Sequence, residues 1–494
     1  MIASKYLMIT CICLTIVYSF YFLNKIKLDN TAYWSGDTIV YQSIAVNLAT
    51  GHGYKYGIIE PFEKYKFGKG LFNPKADLKE ELTDWGKEGG HDYFFTTPGY
   101  ILFLGSIYKI FGISPFIAKV IQNIFMITIG SFLPFIGYIF WKRSGLVSGI
   151  ISGFIYLNHF FSLEAPGSLA VANEILTEPL ISFYLFLMII VFMYWSIKKS
   201  FITTFSFGVL LGIGVLVKGS NIFIPLLFLT YFFILIFIKR SLSLAHLSVL
   251  LSGIIISILP WSIYATKSSD QLILISTQSK PALFDGNNEY TVIDGAWHPE
   301  GYIDNPNSFY RQPWLQKYPD LIKVAIFYYY HPRIFLPVFL KKLFYAYRLF
   351  PFFKISLTLI ISSILINYFL NKKFKIVMLM ITLLCLINIF IFPYPVTGMP
   401  FMSQISTSGS LLTVLLTVAM LLAYRKKIIH TIDIPAPMII IFVNYLLITL
   451  MIFGYPRYIQ VMNFVFILVS VKLLMDFIKE FFSTFYSVFF TSDG

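Results

Sequence analysis

The hydrophobic positions of this chain fall into long runs, not alternating patterns. They centre on residues 6–23, 115–140, 144–163, 179–197, 202–217, 222–238, 243–265, 354–370, 375–393, 406–423, 437–454 and 458–478. A membrane-spanning helix needs about 20 mostly apolar residues, so the pattern predicts about twelve spans. Lys142–Arg143, Lys198–Lys199, Lys239–Arg240, Lys372–Lys373–Lys375 and Arg425–Lys426–Lys427 fall at alternate connections, and Lys5 precedes the first run. Basic residues gather on the cytoplasmic side, which predicts a zigzag with both termini inside. No small-residue cleavage site follows the first run, so it reads as an anchor, not a signal peptide.

The short run Pro98–Phe111 breaks this order. Counted as a span, it would throw the later basic clusters outside, so it is expected to lie at the outer interface. Residues 24–97 and 266–335 are too polar for lipid and fall outside the membrane on the same topology. Within the first, Val40, Ile44 and Leu48 recur every fourth residue in Asp37–Thr50, the period of an amphipathic helix lying along the surface. Residues 333–348 form a similar, basic stretch before the eighth run. The expected organisation is a first transmembrane helix (1–23), a first outer loop with juxtamembrane helices (24–114), spans two to seven (115–265), a large outer loop with an amphipathic helix (266–353), C-terminal spans (354–480) and a cytoplasmic tail (481–494). The fold class is thus an all-α polytopic membrane protein with two extramembranous loops that carry interfacial helices.

Composition agrees. Of 494 residues, 57% are hydrophobic, 19% aromatic and only 13% charged, and mean hydropathy is +0.74. Soluble domains average about 25% charged residues, so a water-facing surface of this size is excluded, as are disorder and nucleic-acid binding as a main role. The net charge of +14 then points to cytoplasmic anchoring residues and to anionic lipid or phosphate partners. Cys11, Cys13 and Cys385 all sit in apolar runs, which excludes a disulfide framework or a cysteine zinc site.

Few charges lie near apolar runs, and such charges are costly unless used. Asp37 opens the surface helix, where a carboxylate meets backbone N–H groups and the positive dipole end. Glu178 precedes Pro179, a residue favoured at the first helical position, so it is expected to cap the fourth span on the outer side. Lys218 ends the fifth span and Arg457 starts the last, both outside. Each has a plainer explanation: helix capping for the acids, snorkelling for the lysine, headgroup anchoring for the arginine. His91, Asp92 and His298 are loop residues, solvated by default. No Walker loop, dinucleotide fingerprint, HExxH pair or Ser/His/Asp motif occurs. Two carboxylates and two cations on one membrane face make a group-transfer site for a lipid-borne phosphate.

At these residues the chain resembles the integral-membrane GT-C glycosyltransferases, in the branch of the protein mannosyltransferases and the lipid A aminoarabinose transferase. The matching pieces are Gly36-Asp37 with Tyr41 and Ala45, Gly51-His52-Gly53-Tyr54, Pro98-Gly99-Tyr100, Phe111-Gly112, Thr177-Glu178-Pro179-Leu180, Gly212 to Lys218-Gly219, Asp285-Gly286-Asn287-Asn288 and Arg457-Tyr458. The resemblance implies a GT-C fold and an inverting transfer of sugar from a polyprenyl-phosphate donor to a glycan, lipid or protein acceptor. The transfer takes place on the outer face of the plasma (inner) membrane, in cell-surface glycan, lipid A or protein glycosylation. It implies Asp37 as catalytic base, Glu178 as the second acidic residue, and Lys218 and Arg457 as donor-phosphate contacts. Tyr41, His52, His91, Asp92, Tyr100, Asn287 and Asn288 are further candidates for substrate contact. Thr97 stands where the aminoarabinose transferase has a lysine, and Thr38 where many relatives have a second acid. A divalent cation (Mg or Mn) has only Asp37 and Glu178 as candidate ligands, and metal-independent catalysis is expected. A transporter or flippase of lipid-linked glycans and a non-catalytic scaffold are the alternatives.

Overall fold

The computed structural model describes residues 2–25, 37–57, 91–161, 175–293, 298–347, 434–452 and 456–489, with residues 295, 296, 359 and 454. Among them the chain is mostly helical, with one ribbon of two short strands. The helices are α1 (Ile2–Lys25), α2 (Asp37–Thr50), α3 (Pro98–Phe111), α4 (Pro115–Phe161), α5 (Glu178–Lys198), α6 (Phe201–Val217), α7 (Phe223–Phe233), α8 (Leu244–Ser269), α9 (Ser279–Asp285), α10 (Asp320–Tyr330), α11 (Pro332–Tyr347), α12 (Ala436–Met451), α13 (Pro456–Gln460) and α14 (Asn463–Phe489). Strands β1 (Lys55–Tyr56) and β2 (His91–Asp92) pair antiparallel, with Lys55 opposite Asp92 and Tyr56 opposite His91.

Four helical stretches are long and apolar enough to cross a membrane: Pro115–Leu157, Glu178–Lys198, Gly219–Ile238 and Leu244–Ser269. This is the composition of an all-α membrane protein, but the expected count of about twelve spans is not met among the described residues. The runs at 115–140 and 144–163 form the two arms of α4, which meet at Trp141–Lys142. The apolar helices Phe201–Val217 and Ala436–Met451 have 17 and 16 residues, whereas α1 has 24, with an apolar stretch at Tyr6–Tyr21. The run at 458–478 is divided between α13 and α14, and Lys472 and Asp476 lie within it. The runs at 354–370, 375–393 and 406–423 lie outside the described residues.

Helix α4 is a hairpin. Its backbone leaves helical geometry at Trp141 (φ −127°, ψ 15°) and Lys142 (φ 56°, ψ −131°), so the two arms return against each other. A Cβ on Gly137 would lie 2.1 Å from the Gly145 carbonyl oxygen, and one on Gly149 would lie 2.5 Å from the Leu133 oxygen. Gly145, Gly149 and Gly153 recur every fourth residue. Without side chains there, the arms approach backbone to backbone, the packing that holds helices together in lipid. The main core then joins α4, α5, α6, α7 and α8 to α12 and α14 through residues such as Ile189, Phe207, Phe228, Ile441 and Leu468. Trp195 seals one end, its indole N–H donating to the Thr204 hydroxyl at 2.9 Å.

A second core forms around α2 and α3. The surface helix expected at Asp37–Thr50 is instead enclosed: nine of its residues, Thr38–Ile39 and Tyr41–Asn47, are buried. Its polar face is occupied by protein, not by water. Asn47 Nδ2 donates to the Lys55 and Gly57 carbonyls at 2.7 and 2.6 Å, Gly57 N–H donates to Ser43 Oγ at 2.9 Å, and Tyr108 O–H donates to Gln42 Oε1 at 3.1 Å. The chain leaving α2 folds back along it and covers the face that periodicity assigned to solvent.

Candidate functional site

Glu178 is the first residue of α5, one position inside the expected cap, with Thr177 before it and Pro179 after it. Its carboxylate is almost wholly buried, 2% exposed, and the Lys218 ammonium lies 2.8 Å from Oε1. Lys218 ends α6 in extended geometry (φ −153°, ψ 127°), which stops the helix and frees the side chain to turn toward α5. Its Nζ also donates to Thr177 Oγ1 at 3.3 Å, and the Thr177 hydroxyl donates to Glu178 Oε2 at 3.2 Å. The Tyr458 ring of α13 covers the same ammonium, 4.3 Å from centroid to Nζ. A cation over an aromatic face is attracted by the ring quadrupole, more strongly when both are desolvated.

Helices α2 and α3 bring the remaining candidates to this pair. Tyr41 meets Tyr100 edge to face at 5.1 Å, and the Cβ position of Gly105 sits 3.3 Å from Leu48. The two helices therefore run in the same direction, and Asp37 and Pro98 open them at the same end. That end rests on α6: Thr97 O–H donates to the Val217 carbonyl at 3.0 Å, and a Cβ on Gly99 would lie 2.7 Å from Val217 Cα. Tyr100 is fully buried and donates to Gln122 Oε1 at 2.6 Å. Burial pushes its phenol well above the usual value, and the Tyr108 phenol and the Glu178 charge push the same way. The Tyr93 phenol, just after β2 in the chain leading into α3, is raised to about 12 by burial and then by the nearby Asp37 carboxylate.

Asp37, Tyr41, Tyr100, Glu178 and Lys218 thus share one end of the α2–α3 layer, where it meets α5 and α6. Arg457 lies beside Tyr458 in α13; its side chain is outside the described residues, as is that of His91. His52 sits in the turn that ends α2, bonded through Nδ1 to Thr50 Oγ1 at 2.8 Å. A 14-residue helix separates it from the Asp37 end by roughly 20 Å, at about 1.5 Å per residue. Asp92 is exposed opposite Lys55.

Asn287 and Asn288 belong to another place. Asn287 Nδ2 donates to the Leu283 and Met451 carbonyls, while its Oδ1 accepts from Tyr328 O–H at 2.9 Å and Lys342 Nζ at 2.7 Å. Asn288 Nδ2 donates to the Phe284 and Asp285 carbonyls, and its Oδ1 accepts from the Tyr290 and Thr291 amides. Both amides are spent inside the protein, so these residues build the turn that ties the segment after α9 to the end of α12.

Three features were not singled out from the sequence. Lys119, Gln122 and Asn123 occupy one buried face of α4 at i, i+3 and i+4, beside Tyr100; a lone lysine one turn inside an apolar run was the available signal. Lys342 is buried between Asn287 and the Leu450 carbonyl, which it reaches at 3.0 Å, and burial lowers its ammonium to about 7. Tyr458 was visible only as the neighbour of Arg457. Among the described residues no three His, Cys, Asp or Glu side chains gather as a metal site. A dication at Glu178 would meet the Lys218 ammonium 2.8 Å from the same carboxylate, so this donor set does not fit a divalent ion. No protein-family model, curated protein or solved structure matches this chain.

Proposed function

We propose that the chain is an inverting GT-C-type glycosyltransferase, moving a sugar from a polyprenyl-phosphate carrier to an acceptor hydroxyl at the outer face of the plasma (inner) membrane. The observation that carries this is the buried Glu178–Lys218 pair at 2.8 Å, set where the helices opened by Asp37 and Pro98 begin. About twelve spans with both termini cytoplasmic complete the proposed architecture. The acceptor is a glycan, a lipid such as lipid A, or a protein.

In the reaction, the Asp37 carboxylate takes the proton of the acceptor hydroxyl. The hydroxyl oxygen bonds to the anomeric carbon on the face opposite the phosphate, and the bond from that carbon to the phosphate oxygen breaks. The electron pair leaves with the phosphate, whose charge the Lys218 ammonium takes up. Glu178 aims Lys218, and Arg457 supplies a second cation with the bidentate geometry that phosphate accepts. The charges stand at helix ends. Transporters place theirs near the midplane on broken helices, which favours transfer over transport.

The test is reconstitution of the full chain with polyprenyl-phosphate sugars and a panel of lipid, glycan and protein acceptors, with product detected by mass. Asp37→Asn is expected to lower transfer by a factor of about 10²–10⁴ with membrane expression unchanged. Full activity in that variant removes Asp37 as the base, and lipid translocation without sugar transfer by the parent chain overturns the proposal.

A further inference from the structure

A helix leaves its last carbonyls without intrahelical donors, and side chains, a tighter turn or water must satisfy them. At the end of α6 the protein itself does so. The Val217 carbonyl accepts from the Thr97 hydroxyl at 3.0 Å. The Gly214 carbonyl accepts from the Lys218 amide at 3.2 Å and from Asn221 Nδ2 at 2.9 Å. The Lys218 carbonyl accepts from the Asn221 amide at 3.0 Å. Asn221 therefore grips Lys218 from both sides, its side chain on the turn before and its backbone on the 3-10 turn Gly219–Asn221 that follows.

Asn221 is wholly buried and is itself held. Its Oδ1 accepts from the Tyr445 hydroxyl of α12 at 2.8 Å, and Tyr445 is 1% exposed. Both halves of the amide are thus bonded where water could not replace either bond, so breaking one leaves a buried polar group unpaired. Helix α12 is a fixed anchor for this contact, because Asn287 and Lys342 hold the Met451 and Leu450 carbonyls at its end. Helix α5 closes on the same turn of α6. A Cβ on Gly214 would lie 1.9 Å from Tyr184 Cζ, so a glycine there lets the helix that carries Glu178 reach the one that carries Lys218. Glu178 and Tyr458 meet the tip of the lysine, and Asn221 fixes the backbone from which it springs.

We propose that Asn221, braced by Tyr445, is the positioning residue for Lys218: it holds the bend from which the ammonium meets the phosphate of a polyprenyl-phosphate carrier. This rests on the reading of Lys218 as the phosphate contact. Both positioning residues are buried and neither meets the carrier. They act by keeping the cation in place before the phosphate arrives, so that no reorganisation is needed when charge develops on it. A lysine side chain is long and flexible, and a site built on one is only as well defined as the groups that lock its backbone and its tip.

The test measures binding of polyprenyl phosphate, without sugar or acceptor, to the purified full chain in phosphatidylethanolamine nanodiscs by native mass spectrometry. Polyprenol, the same lipid without its phosphate, is the control. Tyr445→Phe removes one hydroxyl and keeps the ring, and should weaken polyprenyl phosphate binding about fivefold, the factor carried by one neutral hydrogen bond. Asn221→Ala loses both side-chain bonds and should weaken it further. Polyprenol binding should stay as in the parent, because a misplaced cation matters only to the phosphate. A parent chain that binds polyprenyl phosphate no better than polyprenol overturns this inference together with the phosphate role of Lys218. A parent that discriminates, with Tyr445→Phe discriminating equally well, overturns the positioning role alone. Equal losses for both lipids in Tyr445→Phe also overturn it, since they mark general loosening of the fold. Tyr445→Phe decides the matter by itself if Asn221→Ala fails to fold.

Discussion

Removing the two halves of the Glu178–Lys218 pair should not cost the same. In Lys218→Met, the Glu178 carboxylate remains at a site with 2% exposure and loses the ammonium 2.8 Å away. Leaving one partner of a buried pair uncompensated costs about 3–5 kcal/mol. In Glu178→Gln, Lys218 keeps its Thr177 contact and the Tyr458 ring, and its side chain is 14% exposed, enough for the ammonium to reach water. That loss is closer to the cost of one charged hydrogen bond, about 1.5–3 kcal/mol. The double variant removes both charges and should be less damaged than Lys218→Met alone, since no buried charge remains. Thermal unfolding of the four purified chains in one detergent, followed by size-exclusion recovery, measures the cycle. The order of midpoints should be parent, Glu178→Gln, double variant and Lys218→Met, with the middle two close together. If Lys218→Met melts no lower than Glu178→Gln, or the two losses simply add, the pair is not the buried, mutually compensating unit described here.

Two further outcomes are expected. The Lys342 ammonium is lowered to about 7 by burial, against about 10.4 in an unfolded chain. Between those values the unfolded chain holds a proton the folded one lacks, so stability should rise with pH across that window. Lys342→Met should remove that rise, and parallel melting curves for parent and variant from pH 7 to 10 would refute it. Gly137→Val should force apart the two arms of α4, since a Cβ there lies 2.1 Å from the Gly145 oxygen. Overpacking of this kind costs about 1–3 kcal/mol or more, read as a lower melting midpoint, whereas adding a methylene at an exposed position of the same helix, Val147→Ile, should leave it near the parent value.

Much of the architecture was written in local pattern. The apolar runs located α4 to α8 and α12 within a few residues, because a helix that must satisfy its own backbone in lipid announces itself by length and composition. Pro179 after Glu178 and Pro98 before Gly99 fixed the starts of α5 and α3, since proline's missing N–H costs nothing there. Asp37, Glu178 and Lys218 stood out as charges beside apolar runs. What local pattern could not carry was pairing across distance. Nothing near Lys218 says that it turns toward a carboxylate 40 residues earlier instead of snorkelling, and nothing near Asn287 says that its amide is consumed by Met451, Tyr328 and Lys342. The fourfold spacing in α2 suggested a half-wet surface helix, yet Gln42, Ser43 and Asn47 found partners in α3 and in the returning chain, so the polar face was buried. The sequence alone settled which segments are apolar enough to be helices in a membrane and which charges are expensive. Only the tertiary structure decided which of those charges compensate one another, because that depends on where separate helix ends meet in space.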